Sequence, residues 1–346
     1  MANVAWLAQD PQSPALFPMI ALSQAILQLS LEGSARTMRY FLATNDVELT
    51  SIRYNKQRIK SGEYVLNDGL PRLLELYKRL NVKSTFFVTG DIAEAFPAIP
   101  RLIVDYGHEL GSHSFSHEDC YALDRLNLIK QKEQLSKSKK CLEDISGREV
   151  VSFRAPALRV NEFTAQALHE TSYAIDSSIS PQRADMFFSF GALKKINRLW
   201  ASRYPGFVQK HNLSKRGDYP VFEIPISALA IPYIGTTMRI MPLGLKLLRF
   251  VLAKEAMLFG NPINFLIHPN ECMLETDDDA RSRRSNNPIM HLLAERLRGS
   301  LKIRNLGDAA IKLYAEHLIR FKQEGFKFVT CSEYFTNWNK DKEMKC

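Results

Sequence analysis

Cysteine is sparse in this sequence and follows no pattern. The 346 residues contain five cysteines, an odd number, and no two of them form a C-x-x-C pair. This distribution argues against a disulfide framework and against a cysteine-rich zinc site. We therefore expect a reducing compartment and a cytoplasmic protein. The cysteines are Cys120, Cys141, Cys272, Cys331 and Cys346.

The sequence also lacks the signature of a secretory leader and of a membrane-spanning segment. Residues 14–31 are apolar, but the residues before them include Asp10 and contain neither lysine nor arginine. The same run is broken by polar residues and falls short of the length of a membrane span. We expect residues 1–36 to be an extension outside the core fold, with Met38 as an alternative start. Residues 37–346 are expected to form a single domain.

Marks of nucleic-acid binding are missing as well. No stripe interleaves lysine or arginine with aromatic residues, and there is no helix-turn-helix or zinc-finger spacing, so we expect no nucleic-acid partner. Hydrophobic residues make up 45% of the chain and charged residues 24%, which is typical of a globular protein. The formal net charge of +9 is compatible with an anionic substrate or with peripheral contact at an acidic membrane surface.

What the sequence does contain, from residue 38 onward, is an alternation of short apolar strands and amphipathic helices. Apolar residues at positions 70, 73, 74, 77 and 80 recur at helical spacing around Pro71, and a longer charged helix is expected over residues 124–144. Such alternation predicts a parallel sheet, and seven or eight units favour a barrel over an open sheet. The predicted strands cover residues 39–44, 85–89, 108–112, 150–154, 173–176, 221–225, 263–268 and 326–330.

Two stretches read as insertions into this pattern. Residues 181–220 are rich in aromatic and basic residues and have no clear periodicity. Residues 237–260 combine many leucines with Lys246, Arg249 and Lys254. Two interpretations of the second stretch stay open: a helix packed on the sheet, or an amphipathic surface that meets a membrane or a lipid chain.

Polar side chains that can take part in catalysis or metal binding lie at the predicted strand ends. Asp46, His113, Arg154, Asp176 and His268 each lie at such an end, where the chemistry of a barrel collects. His117 follows His113 by four residues, so the two imidazoles are expected on one face of a helical turn, within reach of one metal ion.

Six motifs in order, spread over roughly residues 38–335, resemble the polysaccharide deacetylase family, the NodB-homology group. The resemblance implies an α/β fold, a distorted (β/α) barrel of about seven parallel strands with surrounding helices. It also implies a metal-dependent amide hydrolase that removes an N-acyl group, expected to be N-acetyl, from an amino sugar in a glycan or glycolipid. The motifs are Thr44-Asn45-Asp46-Val47-Glu48, Ser84-Thr85-Phe86-Phe87-Val88, His113-Ser114-Phe115-Ser116-His117, Phe153-Arg154-Ala155-Pro156, Tyr173-Ala174-Ile175-Asp176-Ser177-Ser178 and Ile267-His268-Pro269.

The resemblance also implies roles for four catalytic residues. Asp46 corresponds to the general base, and Arg154 to the arginine that keeps this base ionised and oriented. His268 corresponds to the general acid that protonates the leaving amine. Asp176 corresponds to an acidic partner that raises the basicity of His268.

By the same resemblance, His113 and His117 are ligands of a divalent metal, with zinc expected. Many members carry two adjacent aspartates, the second binding the metal, but here that position is Val47. Glu48 is therefore assigned as the third ligand. The residue after the motif proline is Ala157 rather than the frequent tyrosine, although its backbone N–H still suits an oxyanion.

Two alternatives stay open at this point. The helix start Gly69-Leu70-Pro71-Arg72-Leu73-Leu74 is similar to that of deformylases acting on lipid-linked formamido sugars. The missing second aspartate also leaves room for a carbohydrate-binding relic without activity. Release of formate or acetate separates the two enzymes, and a binding relic is expected to hold no stoichiometric zinc.

Overall fold

A curled sheet of mainly parallel strands lies at the centre of the structure. The computed structural model describes residues 38–181, 200–279 and 298–343, and from Arg39 onward these residues form one compact unit. The strands are β1 (Tyr40–Val47), β2 (Ser84–Val88), β3 (Glu109–Ser112), β4 (Ser152–Phe153), β5 (Ile175–Asp176), β6 (Gly206–Gln209), β7 (Asn212–Arg216), β8 (Tyr219–Glu223), β9 (Ala228–Leu229), β10 (Ile231–Pro232), β11 (Ile263–Ile267) and β12 (Lys327–Phe328).

Seven strands form an unbroken parallel path through this sheet, in the order β11-β1-β2-β3-β4-β5-β8. The short strand β12 also pairs in parallel with β1. The hairpin β6–β7 extends the sheet beyond β8 with antiparallel pairing, and it belongs to the stretch that read as an insertion. The predicted α/β fold with about seven parallel strands and surrounding helices is confirmed.

Helices surround the sheet, and local sequence signals fix several of their ends. Asn127 caps the longest helix by accepting a hydrogen bond from the Lys130 N–H, and Gly147 ends it with a left-handed backbone. A single π-helical turn, Val65–Gly69, leads into the helix around Pro71. The helices are α1 (Ile59–Tyr64), α2 (Leu70–Leu80), α3 (Gly90–Ala95), α4 (Ala98–Asp105), α5 (Leu128–Ser146), α6 (Thr164–Glu170), α7 (Gly235–Ile240), α8 (Pro242–Phe259), α9 (Arg298–Lys302), α10 (Asp308–Gln323) and α11 (Cys331–Glu343).

The central strands are buried on both faces, as expected for a parallel sheet covered by helices. Every residue of β1 and β2 is buried. Polar groups therefore reach solvent only at the strand ends, and this directs attention to the carboxyl edge of the sheet.

The apolar stretch at 237–260 forms two helices, α7 and α8. Leu245, Leu248, Leu252 and Ala256 of α8 are buried, which is the behaviour of a helix packed on the sheet. No helix in the described ranges combines the length and apolarity that crossing a bilayer requires. The proposed extension at 1–36 and residues 182–199 lie outside the described residues, so the predicted domain limits stay predictions.

Candidate active site

Four parallel strands bring six of the predicted site residues to one edge of the sheet. β1 carries Asp46 as its penultimate residue, and Glu48 follows the strand directly. His113 and Arg154 follow β3 and β4, and His268 follows β11. The carboxyl ends of parallel strands share an edge, so these side chains, together with His117, converge.

Glu48, His113 and His117 form a compact group of potential metal ligands. Their donor atoms all lie within 4.8 Å of one another. The Glu48 Oε2 atom is 2.9 Å from His117 Nε2 and 3.7 Å from His113 Nε2. Three protein ligands, two imidazoles and one carboxylate, match a zinc site that keeps an open position for water or substrate.

The two histidines do not lie on a helical turn, so that expectation is wrong. Residues 113–118 have no regular secondary structure, and Ser114 has a left-handed backbone with φ of +63°. The N–H groups of Gly90 and Asp91, at the start of α3, donate to the carbonyls of Ser114 and Phe115. These tertiary hydrogen bonds hold the loop in the shape that turns both imidazoles toward Glu48.

Two further observations fit a cation at this group. Glu48 is buried, and its Oε2 atom has no hydrogen-bond partner of good geometry although an imidazole nitrogen is close. His113 Nδ1 lies 2.8 Å from the Arg154 carbonyl oxygen, an acceptor, so Nδ1 carries the proton and Nε2 is free to bind a metal.

Two of the three potential ligands have pKa shifts that suit metal binding. Burial alone would raise the pKa of Glu48, but the neighbouring histidines, His117 above all, lower it to about 2. Burial lowers the pKa of His113, which favours its neutral form. Burial lowers the pKa of His117, but the charge and hydrogen bond of Glu48 raise it overall. Glu48 and His113 thus have the protonation state that a metal requires of its ligands, whereas His117 would release a proton when a metal binds.

Arg154 is fully buried and holds Asp46. Its Nη1 donates to Asp46 Oδ1 at 2.9 Å, its Nε donates to the Ser177 carbonyl at 2.9 Å, and its Nη2 donates to the hydroxyls of Thr44 and Ser177. The second Asp46 oxygen, Oδ2, lies 3.8 Å from His113 Nε2 and 4.0 Å from His268 Nε2. One oxygen is thus fixed by the guanidinium, and the other is available at the centre of the site.

His268 has a carboxylate partner that the sequence interpretation missed. Glu271 Oε1 lies 3.0 Å from His268 Nδ1 and also accepts from the His268 backbone N–H at 3.3 Å. Burial lowers the pKa of His268, but the hydrogen bond and charge of Glu271, followed by the charges of Asp46 and Glu48, raise it to about 9. His268 is therefore protonated at neutral pH.

Glu271 is itself held in place by a buried arginine. Arg239, fully buried in α7, donates from Nε to Glu271 Oε2 at 2.6 Å, and its Nη1 donates to the carbonyls of Lys302 and Arg304. Burial raises the pKa of Glu271, but Arg239 and His268 together lower it to about 2. The result is a row of alternating charges, Arg239, Glu271 and His268, that ends at the site.

Asp176 is not the partner of His268, and that prediction is wrong. Asp176 lies at the end of β5 beside its neighbour in register, Glu223 of β8, and its Oδ1 accepts from the Ser178 hydroxyl at 2.6 Å. Burial raises the pKa of both carboxyls. The reason for the difference is local: a 3₁₀ turn after His268 returns Glu271, three residues on, to the imidazole. The His-Pro-x-Glu spacing with proline in the first turn was the available signal.

Two glycines allow helical backbone to approach the turn that carries Glu271. A Cβ atom on Gly69, at the end of the π-helical turn, would lie 2.4 Å from the Pro269 carbonyl oxygen. A Cβ atom on Gly235, the first residue of α7, would lie 2.6 Å from Glu271 Oε1. The helical backbone at Gly69 and at Gly235 is therefore in close contact with the turn that carries Glu271.

A groove of about 620 Å³ opens beside the ligand group, with His117 in its wall. Ala157, which stands where many members carry tyrosine, is exposed in this groove with a left-handed backbone. The groove is lined by Thr50, Lys56, Gln57, His117, Glu118, Asp119, Ala122, Pro156, Ala157 and Arg159. Seven of these ten residues have side chains that can form hydrogen bonds with sugar hydroxyls.

Comparison with known proteins finds matches to polysaccharide and peptidoglycan deacetylases. The model of the polysaccharide deacetylase family matches residues 61–175, a range that contains His113, His117 and Arg154. The chain is 34% identical over 130 residues to the peptidoglycan deacetylase-like protein FGM2 of Gibberella zeae, covering 37% of this chain and 38% of that protein. It is 33% identical over 122 residues to a peptidoglycan deacetylase of Helicobacter pylori, covering 35% and 40% respectively.

The matches to these curated relatives span about two fifths of the relatives' length. Among solved structures, a probable polysaccharide deacetylase from Pseudomonas aeruginosa PAO1 superposes with a TM-score of 0.53 at 15% identity, covering 86% of this chain and 91% of that one. An allantoinase, Puue, superposes with a TM-score of 0.50, also at 15% identity, covering 86% and 90%. At such identities the likeness concerns the fold.

Proposed function

Because the chain belongs to the polysaccharide deacetylase family through residues 61–175, we propose that it hydrolyses the N-acyl group, first of all N-acetyl, of an amino sugar in a glycan. One observation carries the proposal. A carboxylate held by arginine and an imidazole held by carboxylate face the same group of three potential metal ligands. A base and an acid on either side of an electrophile site are what amide hydrolysis requires.

A divalent cation, with zinc the first choice, would be held by Glu48, His113 and His117. When bound, such an ion lowers the pKa of water and polarises the acyl carbonyl. Three protein ligands would leave a coordination position for water or substrate.

The chain's own residues supply the proton transfers. Asp46 Oδ2 accepts the proton of the attacking water, while Arg154 keeps Oδ1 in place. The water oxygen bonds to the acyl carbon, and the C–N bond then breaks. His268 gives its proton to the departing nitrogen, and Glu271 stabilises the imidazolium until that transfer. The products are a carboxylic acid and a free amino sugar.

The relatives support a cell-wall glycan or a related polysaccharide as the substrate, since two of them are named as peptidoglycan deacetylase or a protein like it. The groove is lined by charges of both signs, Lys56 and Arg159 together with Glu118 and Asp119, and such side chains can hydrogen-bond to the hydroxyls of a sugar chain. A glycolipid carrying the same amino sugar has the same reacting group.

Acyl release from defined substrates tests the proposal. The full chain, loaded with zinc, is incubated with N-acetylated glycan oligomers, with their N-formylated counterparts and with a lipid-linked formamido sugar, and acetate, formate and free amine are measured. We expect acetate release from the acetylated oligomers. Exclusive formate release would replace this proposal by the deformylase, and absence of both products together with absence of stoichiometric zinc would leave a binding protein.

Variants connect the activity to the site. His113→Ala and His268→Ala are each expected to reduce turnover by orders of magnitude while the circular dichroism spectrum stays unchanged. His211→Ala, in the exposed turn of the β6–β7 hairpin, is the matched control and should retain full activity. Wild-type activity in either site variant would remove that residue from the mechanism.

A further inference from the structure

Helix α8 is apolar on two opposite sides, although packing on the sheet needs only one. Its inner side is buried through residues such as Leu245 and Leu248. On its outer side, Leu243 is 79% exposed, Leu247 is 66% exposed and Leu258 is 74% exposed. An ordinary surface helix places polar residues on that side, and a contiguous exposed apolar patch marks an interaction site.

The exposed side chains form one line along the helix. Residues 243, 247, 250, 254 and 258 follow one another at intervals of three or four, so they share a face. Four of these five residues are leucine or phenylalanine. The face runs the length of the helix, about 27 Å for 18 residues.

The only charges on this side are positive. Lys246 and Lys254 are exposed, and Lys254 Nζ lies 5.7 Å from the centre of the Phe250 ring. Among the residues that the structure describes, neither lysine has a carboxylate within salt-bridge distance. The one acidic residue of α8, Glu255, is engaged by Arg203. The outer side of α8 therefore combines apolar side chains with unneutralised lysines.

Exposed aromatic side chains flank Arg203 in the sequence, and Arg203 pairs with Glu255 of α8. Among them Trp200 is 76% exposed, and Tyr204 is also exposed. Tryptophan and tyrosine are the residues enriched where membrane proteins meet the headgroup layer.

We propose that the outer side of α8 is a membrane-docking face that lies in the interface of an anionic lipid bilayer. The leucines and Phe250 enter the acyl boundary, and Lys246 and Lys254 meet acidic headgroups. A second copy of the chain fits this face poorly. A two-fold contact would place the lysines of one copy against those of the other, whereas an anionic surface neutralises them.

The docking face has a defined relation to the catalytic edge. α8 ends at Phe259 and leads through Gly260 to the start of β11, and β11 ends at Ile267, directly before His268. Because the helix runs back along the strand, its first turn lies toward the edge where the strands end. If the proposed deacetylation holds, the bilayer delivers substrates that are themselves attached to lipid. Docking itself is independent of that activity.

Co-sedimentation of the full chain with vesicles tests the docking face without any substrate. Vesicles of phosphatidylglycerol and phosphatidylethanolamine in equal parts are compared with vesicles of phosphatidylcholine. We expect binding to the anionic vesicles that weakens as salt is added. The double variant Leu247→Glu/Phe250→Glu should partition about a hundredfold more weakly, since each lost apolar side chain costs roughly tenfold.

Two further variants give the matched comparisons. Ile129→Glu changes a side chain that is equally exposed, at 67%, on α5, and it should leave vesicle binding unchanged. Lys246→Gln/Lys254→Gln should reduce the preference for anionic vesicles by roughly fivefold per lysine. All these positions are exposed, so circular dichroism and Tm should match those of the parent chain.

Three results would overturn the proposal. The first is no binding of the full chain to anionic vesicles, and the second is equal loss in the α5 control and in the α8 variant. The third is a dimer in solution that Leu247→Glu/Phe250→Glu dissociates while vesicle binding is absent, which would assign the face to a second copy of the chain. Emission of a Phe250→Trp variant that is quenched by brominated lipid acyl chains would support insertion directly.

Discussion

Glu271→Gln separates an electrostatic role for this carboxylate from a purely structural one. The amide has nearly the same shape and can still accept a hydrogen bond from His268, but it carries no charge. The pKa of His268 lies at about 9 rather than 6.5, which corresponds to about 3 kcal/mol of preferential stabilisation of the imidazolium. Glu271 is the largest contribution that raises this pKa. Without its charge, the pKa should fall to near the ordinary value.

The consequence is a loss of activity that depends on pH. If His268 must carry a proton to act as the acid, kcat/KM of the parent enzyme declines only above about pH 9, whereas the variant declines above about pH 6.5. At pH 8 the variant should therefore be about thirtyfold slower, and at pH 6 less than about twofold slower. The measurement is kcat/KM for acetate release across this pH range, with zinc saturating.

A neighbouring carboxylate provides the control. Glu275 is also buried, and it hydrogen-bonds to Ser51, Ser61 and Arg58 rather than to the site. Glu275→Gln should lower stability without moving the basic limb of the profile. A Glu271→Gln variant that loses the same factor at every pH would refute the electrostatic account and leave Glu271 as a structural residue.

Three further predictions concern the same site. Glu48→Gln should lower zinc affinity by roughly a hundredfold or more, measured by equilibrium dialysis, while Glu118→Gln in the adjoining groove should not; equal affinity in both would remove Glu48 from the ligand set. In urea titrations, Arg154→Met should lower the free energy of unfolding by about 3–5 kcal/mol because it leaves Asp46 buried and unpaired. Arg159→Met breaks more exposed ion pairs and should lower the free energy of unfolding by about 1 kcal/mol or less. The difference in the free energy of unfolding between the parent chain and Glu271→Gln should be largest between about pH 4.5 and 6.5. The raised pKa of His268 loses its stabilising effect as pH rises toward 9, and the lowered pKa of Glu271 loses its effect as pH falls toward 2. A difference that is constant with pH would contradict this linkage.

The long apolar strands could be predicted from sequence because burial on both faces leaves a continuous hydrophobic run. Prediction and structure agree within a few residues for β1, β2, β3 and β11. The hairpin β6–β7 was not predicted, since its partly exposed strands carry polar residues and no clear alternation. The charged helix begins at Leu128 rather than at residue 124, because Asn127 supplies the cap and a 3₁₀ turn precedes it.

The site was predictable to the extent that strand ends carry its residues. Asp46, His113, Arg154 and His268 were found because a polar residue directly after an apolar strand stands out. The conformation of the His113–His117 loop was not predictable, since contacts with the start of α3, distant in sequence, determine it. Glu271 was missed because it lies in the turn after a strand, where a glutamate reads as an ordinary solvent-facing residue.

If the proposed deacetylation holds, the glycines behind the acid limit how the site can accommodate a different substrate. Any side chain at Gly69 or Gly235 would collide with the turn that holds Glu271, and the collision would displace His268 along with its partner. A new acyl group or sugar would therefore have to be accommodated elsewhere, for example in the groove that Ala157 and Arg159 line. The glycine of the Gly-Leu-Pro helix start is thus required by close backbone packing against the turn that carries Glu271.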